Sequence, residues 1–308
     1  MLRRVTAALA ALLSTSIIAF ALGLLAPGDP AVEALSQGPQ STPNPAVVAE
    51  LRRQWGLDQP VVVQYLRWLG RAVQGDLGTS YFTRRPVAEE LALRLPATLL
   101  LAGAATLLAT VVGVGAGIGA AWWAGGWLDA TLRLSSVTLA ALPGFLLALL
   151  LITGLAEQGR LLPTSGYGTA AHLVLPMLAI SMGEAARLLR LTRTQLVEVL
   201  RQDYIRTAHS KGLAPSRVAL WHALPNALLL VLTAVGLHLG EILGGAAVIE
   251  TIFAWPGIGR LAVDSISRRD YPTVQGFVLV SGGLFILVNL LVDLLYSTLD
   301  PRTKAVQP

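Results

Sequence analysis

The chain has 308 residues, of which 54% are hydrophobic and only 13% charged, with a net charge of +5 and no cysteine. A soluble domain carries roughly 25% charged residues, so an ordinary soluble protein is excluded. Without cysteine, disulfides, zinc–thiolate sites and iron–sulfur clusters are excluded too.

The apolar excess is concentrated in stretches free of Asp, Glu, Lys and Arg, at 5–28, 95–128, 134–156, 161–183, 218–240 and 271–292. About 20 apolar residues at 1.5 Å rise cross a bilayer core, so each stretch is long enough to span. The first span is expected at 5–25. Arg3-Arg4 and a small-residue site at Ala19-Phe20-Ala21 also suit a signal peptide, but the apolar run exceeds the usual h-region and favours an uncleaved span. Residues 26–94 are polar and carry helix signals of their own. Asn44-Pro45 reads as an N-cap and first helical residue, with Gly56 as a stop. Asp58 and Pro60 open an amphipathic stretch at 61–73. Pro86 opens a third, with Glu89 and Glu90 in its first turn, where the helix dipole favours anions.

Span 2 is expected at 97–121. Its Gly113, Gly115, Gly117 and Gly119 lack nucleotide-fingerprint spacing, and small residues four apart suit close helix packing. Spans 3 and 4 are expected at 134–155 and 172–191, and spans 5 and 6 at 226–249 and 276–298. Loop 185–225 holds seven Arg or Lys against two acids, whereas 26–94 holds seven of each and 250–275 three of each. Positive charge stays inside, so 185–225 is cytoplasmic, both termini are cytoplasmic, and 26–94 faces outward. The same rule explains the net charge without nucleic acid; lipid is the expected surrounding. No G-x-x-x-x-G-K-[ST] occurs, and the only lysines are Lys211 and Lys304. The chain therefore hydrolyses no ATP through a P-loop of its own.

Within the cytoplasmic loop, 198–226 reads as two short helices joined by a turn. Gly212 supplies the left-handed stop, and Pro215 fits the first turn of the second helix. Such an element serves either as a docking surface or as a plain solvated basic loop. In span 5, His238 and Glu241 stand three apart on one helix face, with Gly236 and Gly240 on another. A carboxylate inside a span faces a bundle interior or a water-filled cavity. The pair either lines a path for a cationic or metal-bearing substrate or hydrogen-bonds neighbouring helices. Two ligands alone are few for a metal, and no metal site is assigned. Trp255 between spans 5 and 6 suits an interfacial anchor or an outer docking loop.

Loop 206–225 resembles the coupling loop of ATP-binding-cassette importer permeases, whose pattern is E-A-A-x3-G-x9-I-x-L-P. Here Arg206-Thr207-Ala208 is followed after three residues by Gly212, and after nine more by His222-Ala223-Leu224-Pro225. The spacing holds, while Glu-Ala gives way to Arg-Thr and Ile to His. The whole chain resembles the dipeptide/oligopeptide/nickel branch. The resemblance runs through Gly28-Asp29-Pro30, Gly56 to Pro60, Arg94 to Thr98, Pro143 with Phe145, Leu162-Pro163 before Gly166-Tyr167, Glu250 to Gly259, Arg269 to Pro272 and Leu299 to Arg302. The run Thr233 to Glu241 is most similar to the nickel-transport permease B subunit.

The resemblance implies an all-α, polytopic bacterial inner-membrane protein of type I importer permease fold, with six transmembrane helices and a small helical periplasmic region. The divisions are 1–25, 26–94, a core at 95–298 with the coupling loop at 193–225, and a tail at 299–308. It implies a subunit that is not an enzyme, with no cofactor. The expected partners are a paralogous permease, two ATPase subunits and a periplasmic substrate-binding protein. The ATPase-coupling residues would be Asp203, Tyr204, Arg206, Thr207, Ala208, Lys211, Gly212, Leu213 and Pro215, with apolar contact from Tyr204, Ala208 and Leu213. His238 and Glu241 would line the translocation path. Nickel or a metal chelate is the expected cargo, with di- and oligopeptides as the alternative. An ion-coupled secondary transporter, which would show inverted repeats and broken spans, is a further one.

Overall fold

The computed structural model describes residues 2–25, 28–35 and 44–299. Residues 300–308, with most of the expected tail and the Asp300-Pro301-Arg302 motif, lie outside the described residues. The described residues form helices, with a single isolated bridge between Thr79 and Pro86. Among the described residues five helices are long and apolar enough to cross a membrane, and a sixth span results if one bent helix pair is counted as one. The chain divides into two units, Met1–Thr98 with Pro256–Ile286, and Leu99–Trp255 with Leu287–Pro308.

In the first unit, α1 (Leu2–Leu25) is followed by α2 (Pro30–Leu35), α3 (Pro45–Trp55) and α4 (Val61–Val73). Asn44 caps α3 by accepting from the Ala46 amide, and Pro45 fills its first turn. Gly56 ends it at φ 68°, the left-handed conformation that spares glycine a Cβ clash. Gln64 Nε2 then ties α4 to the turn through the carbonyls of Leu57 and Gln59. Arg52 pairs with Asp29, which also accepts from the Ala31 amide. Burial alone would push the Asp29 carboxyl up; these hydrogen bonds outweigh it and hold the group below its ordinary value. The third amphipathic stretch is no separate helix. It is the start of α5 (Val87–Trp122), 36 residues that run through Pro96 into span 2.

Also in this unit are α13 (Ile258–Ser267) and the start of α14 (Tyr271–Leu299). Buried Asp270 accepts from Ser80 Oγ at 2.5 Å, the Tyr81 amide at 2.9 Å and Thr273 Oγ1 at 2.8 Å. The Ile258 amide donates to Thr98 Oγ1 at 2.9 Å. Val87, Leu91 and Ile258 form the local core, with Leu95 and Phe277 against it.

In the second unit, α6 (Trp127–Ala141) and α7 (Gly144–Leu151) meet at 101°, and a π-helical turn, Ile152–Gln158, continues α7. The continuous span expected at 134–155 is therefore broken. Pro143 lacks an amide to donate and restricts Leu142 to extended backbone, at ψ 122°. Next comes α8 (Ala170–Leu200), which runs past the expected end at 191 into the basic loop. It is followed by α9 (Asp203–Ser210), α10 (Pro215–Val218), the π-helical turn Ala219–Ala223, α11 (Leu224–Gly245) and α12 (Ala247–Ile252). Span 5 thus breaks at Ala246 rather than continuing to 249.

Half of the span-2 glycine series makes the close contact expected of it. A Cβ on Gly113 would stand 2.6 Å from the Ala185 carbonyl oxygen, and one on Gly117 2.6 Å from Thr192 Cβ, whereas Gly115 and Gly119 face open space. Gly117→Leu is therefore expected to destabilise the detergent-solubilised protein by about 1–3 kcal/mol through overpacking, and Gly115→Leu to leave it unchanged. Loss of the monodisperse elution peak on heating measures both; equal midpoints would count against close α5–α8 packing.

Buried Asp129, at the start of α6, accepts from Arg193 Nε at 2.5 Å and Nη2 at 2.7 Å, and from the Gly125 amide at 3.0 Å. Arg193, counted among the basic loop charges, is in fact partnered inside the fold.

Candidate functional site

Two places in the second unit carry the residues singled out by sequence. One is the α9–α10 segment. Apolar Ile205 and Ala208 stand three apart and point inward, buried with Leu196, Val218, Ala223 and Ala227. The opposite face, Asp203, Tyr204, Arg206, Thr207 and Lys211, is exposed. Arg206 lies 3.6 Å from Asp203 in a solvent-exposed pair. Gly212 turns the chain at φ +77°, and a Cβ there would meet nothing within 4 Å. Pro215 occupies the first turn of α10. Ala208 was expected to offer apolar contact to a partner. It is instead packed into its own unit, and half-buried Leu213 lies against the same cluster. Tyr204 remains as the exposed apolar group on this segment, beside Leu220 and Trp221 at its exit.

The other place lies between α8 and α11. His238, buried on α11, holds its Nδ1 3.3 Å from Glu184 Oε2 and 3.6 Å from Glu241 Oε2. Arg187 Nε lies 2.7 Å from Glu184, and Arg187 Nη1 4.0 Å from Glu241. Sequence reasoning placed His238 and Glu241 on one face, and they do meet. It missed the approach of Glu184 to His238. Glu184 and Arg187 stand three apart on one helix, as His238 and Glu241 do on another, but only the fold brings the two pairs together. Beside Glu184 and Arg187, on the side of the α6–α7 bend, opens a cavity of about 390 Å³, lined by Leu142 and Gly144 at that bend, by Glu184, Arg187 and Arg190 on α8, and by Ile249 on α12. This falls within the usual range of small-ligand pockets, roughly 300–1,000 Å³. Both charge signs converge on it. Among the described residues no group of three or more His, Cys, Asp or Glu is arranged to hold a metal ion.

Trp255 serves neither role expected of it. It is 1% exposed, edge-on to Tyr167 at 4.8 Å, where the Gly166 amide donates to the Phe253 carbonyl. Two sequence motifs nearly ninety residues apart, one ending in Gly166-Tyr167 and one containing Phe253 to Trp255, thus form one packed corner.

Comparison with known proteins bears on both places. The binding-protein-dependent transport system inner membrane component family matches residues 113–305, and its N-terminal membrane component matches 1–102. The glutathione transport system permease protein GsiC of Salmonella paratyphi A is 41% identical over 303 residues, covering 98% of each chain. GsiC of Escherichia coli K12 is 40% identical with the same coverage. A probable peptide ABC transporter permease protein, y4tP, of Sinorhizobium fredii is 40% identical over 311 residues, again 98% of each. Among solved structures, the inward-facing MetNI methionine ABC transporter shares the fold at a TM-score of 0.57 and 19% identity, over 68% of this chain and 96% of that one. The fold is thus that of a type I importer permease.

These findings overturn the nickel expectation. Full-length relatives at 40–41% identity are named for glutathione and peptide, not nickel. The span-5 run that suggested nickel is mostly Leu, Val and Gly, which any packed span favours, and His238 is already engaged by Glu184 and Glu241. The broken span at Pro143, a feature expected of a secondary transporter, sits here in an importer permease fold.

Proposed function

Since this chain belongs to the binding-protein-dependent transport system inner membrane component family, the inner-membrane permeases of ATP-binding-cassette importers, we propose that it forms half of a translocation path for small peptides. The observation that carries this is the full-length likeness to glutathione and peptide permeases at 40–41% identity. The cavity chemistry agrees with it. A peptide carries a carboxylate and an ammonium group, and Arg187, Arg190 and Glu184 line one cavity, with Glu241 4.0 Å from Arg187. Charge-assisted hydrogen bonds to both termini would orient such a cargo. In this reading His238 and Glu241 border the path, and His238 positions the two carboxylates.

The exposed face of α9, with Tyr204, Arg206 and Thr207, and Lys211 just beyond its end, would seat against an ATPase subunit, and Gly212 would set the angle to α10. The partners in this reading are a paralogous permease, two ATPase subunits and a substrate-binding protein. Nucleotide-driven closure of the ATPase pair would move α9 and bias the spans between two states.

Calorimetric titration of the cognate binding protein tests the cargo. Glutathione or other di- and tripeptides are expected to bind, and free divalent metal is not. A binding protein that takes a metal and ignores every peptide overturns the proposal.

A further inference from the structure

The helix α4 was expected to lie in the extramembrane region 26–94, yet it packs against a membrane span. Tyr65 Oη and Ser16 Oγ lie 2.8 Å apart, and Phe20 stands 5.5 Å from the Tyr65 ring and 5.8 Å from the Trp68 ring. Ser16 lies near the middle of the apolar window Thr6–Leu24. Leu24 is eight residues further on, about 12 Å at 1.5 Å per residue. A group bonded to Ser16 is therefore close to the mid-depth of the bilayer core, which is about 30 Å thick. A phenol at that depth needs a partner, and Ser16 is one.

The remaining faces of α4 sort by chemistry. At 100° per residue, Val62, Leu66, Leu69 and Val73 fall within about 60° of one another. Val62, Leu66 and Val73 are 67%, 59% and 80% exposed. This stripe adjoins the Tyr65–Trp68 face and is as bare as Leu9, Leu13 and Ile17 on α1, which are 60%, 52% and 50% exposed. Gln64, Arg67 and Arg71 occupy the opposite side. With 13 residues, α4 is about 20 Å long and cannot span.

We infer that α4 is embedded beside α1 in the outer leaflet, with Val62, Leu66 and Val73 against lipid acyl chains and Arg67 and Arg71 at the headgroup phosphates. The occupant of the bare stripe is lipid, because the helix is tied to a span at membrane depth and its stripe is as apolar and as bare as that span's own surface. Arginine stems reach the interface from such a position. The inference does not rest on the peptide reading.

The absence of cysteine makes the test direct. Single cysteines at Val62, Leu66, Val73, Arg67 and Arg71, and at Leu13 as a lipid-facing reference, carry a nitroxide label. The full chain is reconstituted in phosphatidylethanolamine–phosphatidylglycerol vesicles. At positions 62, 66 and 73, collisions with dissolved oxygen are expected to exceed those with water-soluble chromium oxalate severalfold, as at position 13, with the reverse at 67 and 71. Access of chromium oxalate to 62, 66 and 73 would place α4 in water and overturn the inference. Shielding from both reagents would mean a protein partner covers the stripe, and overturns it equally. Carbene photolabelling from the acyl phase reads the unmodified chain: adducts within 61–73 are expected, and their absence counts against the inference.

Discussion

Replacing Gly212 with valine is expected to abolish ATP-dependent uptake by the assembled transporter while leaving membrane insertion and abundance at wild-type levels. The residue sits at φ +77° between α9 and α10, where a Cβ would meet no neighbour. The cost is thus conformational rather than steric. A β-branched residue in the left-handed region costs about 1–2 kcal/mol, and the turn relieves it by rotating out of that conformation. Rotation would swing α9, whose inner face is held by Ile205 and Ala208 and whose outer face carries Tyr204, Arg206 and Lys211. Gly212→Asn is the control. Asparagine tolerates the left-handed conformation, so uptake should persist despite the larger side chain. Wild-type uptake by the valine variant would sink the coupling role proposed for this segment.

The largest stability effect is expected at Asp129. Its carboxylate is 1% exposed and takes both nitrogens of the Arg193 fork, plus the Gly125 amide. Asp129→Ala leaves a mostly buried guanidinium unpaired, and breaking a buried pair from one side costs about 3–5 kcal/mol. The variant should insert and then lose its monodisperse peak at a markedly lower temperature than wild type. The paired change Asp129→Leu with Arg193→Met removes both charges and should recover most of the loss, because apolar replacement of a buried ion pair is often near neutral. A double variant as unstable as the single one would show that the pair does more than neutralise itself.

The spans were legible in the sequence because membrane crossing imposes a length and a charge pattern that single residues cannot disguise. Helix ends were legible where Asn44, Gly56, Gly212 and Pro215 carry their own backbone preferences. Three things were not. Pro143 could equally have kinked a span or broken it, and periodicity does not choose. The Asp129–Arg193 pair joins residues 64 positions apart, and nothing local marks it. The cargo was misread because the motifs that identify the family are largely structural anchors. Thr98 holds the Ile258 amide, Asp270 fastens Ser80 and Tyr81, and Trp255 fills a corner against Tyr167. Such residues report shape and say little about what passes through. Of the candidate path, His238 and Glu241 were found because ionisable groups inside a span are costly and conspicuous, whereas Glu184 needed the fold to bring it to them.

One consequence concerns mechanics. The helix α8 has no break from the cavity-lining Glu184 to Leu200, three residues before α9 begins. That segment is a strut of about 24 Å, and Pro176 lies outside it, on the side away from α9. A push delivered at α9 therefore has no joint in α8 at which to dissipate before it reaches the charged groups around the cavity. In the proposed reading, stiffness along one helix would make the grip on cargo and the seat of the motor ends of a single lever.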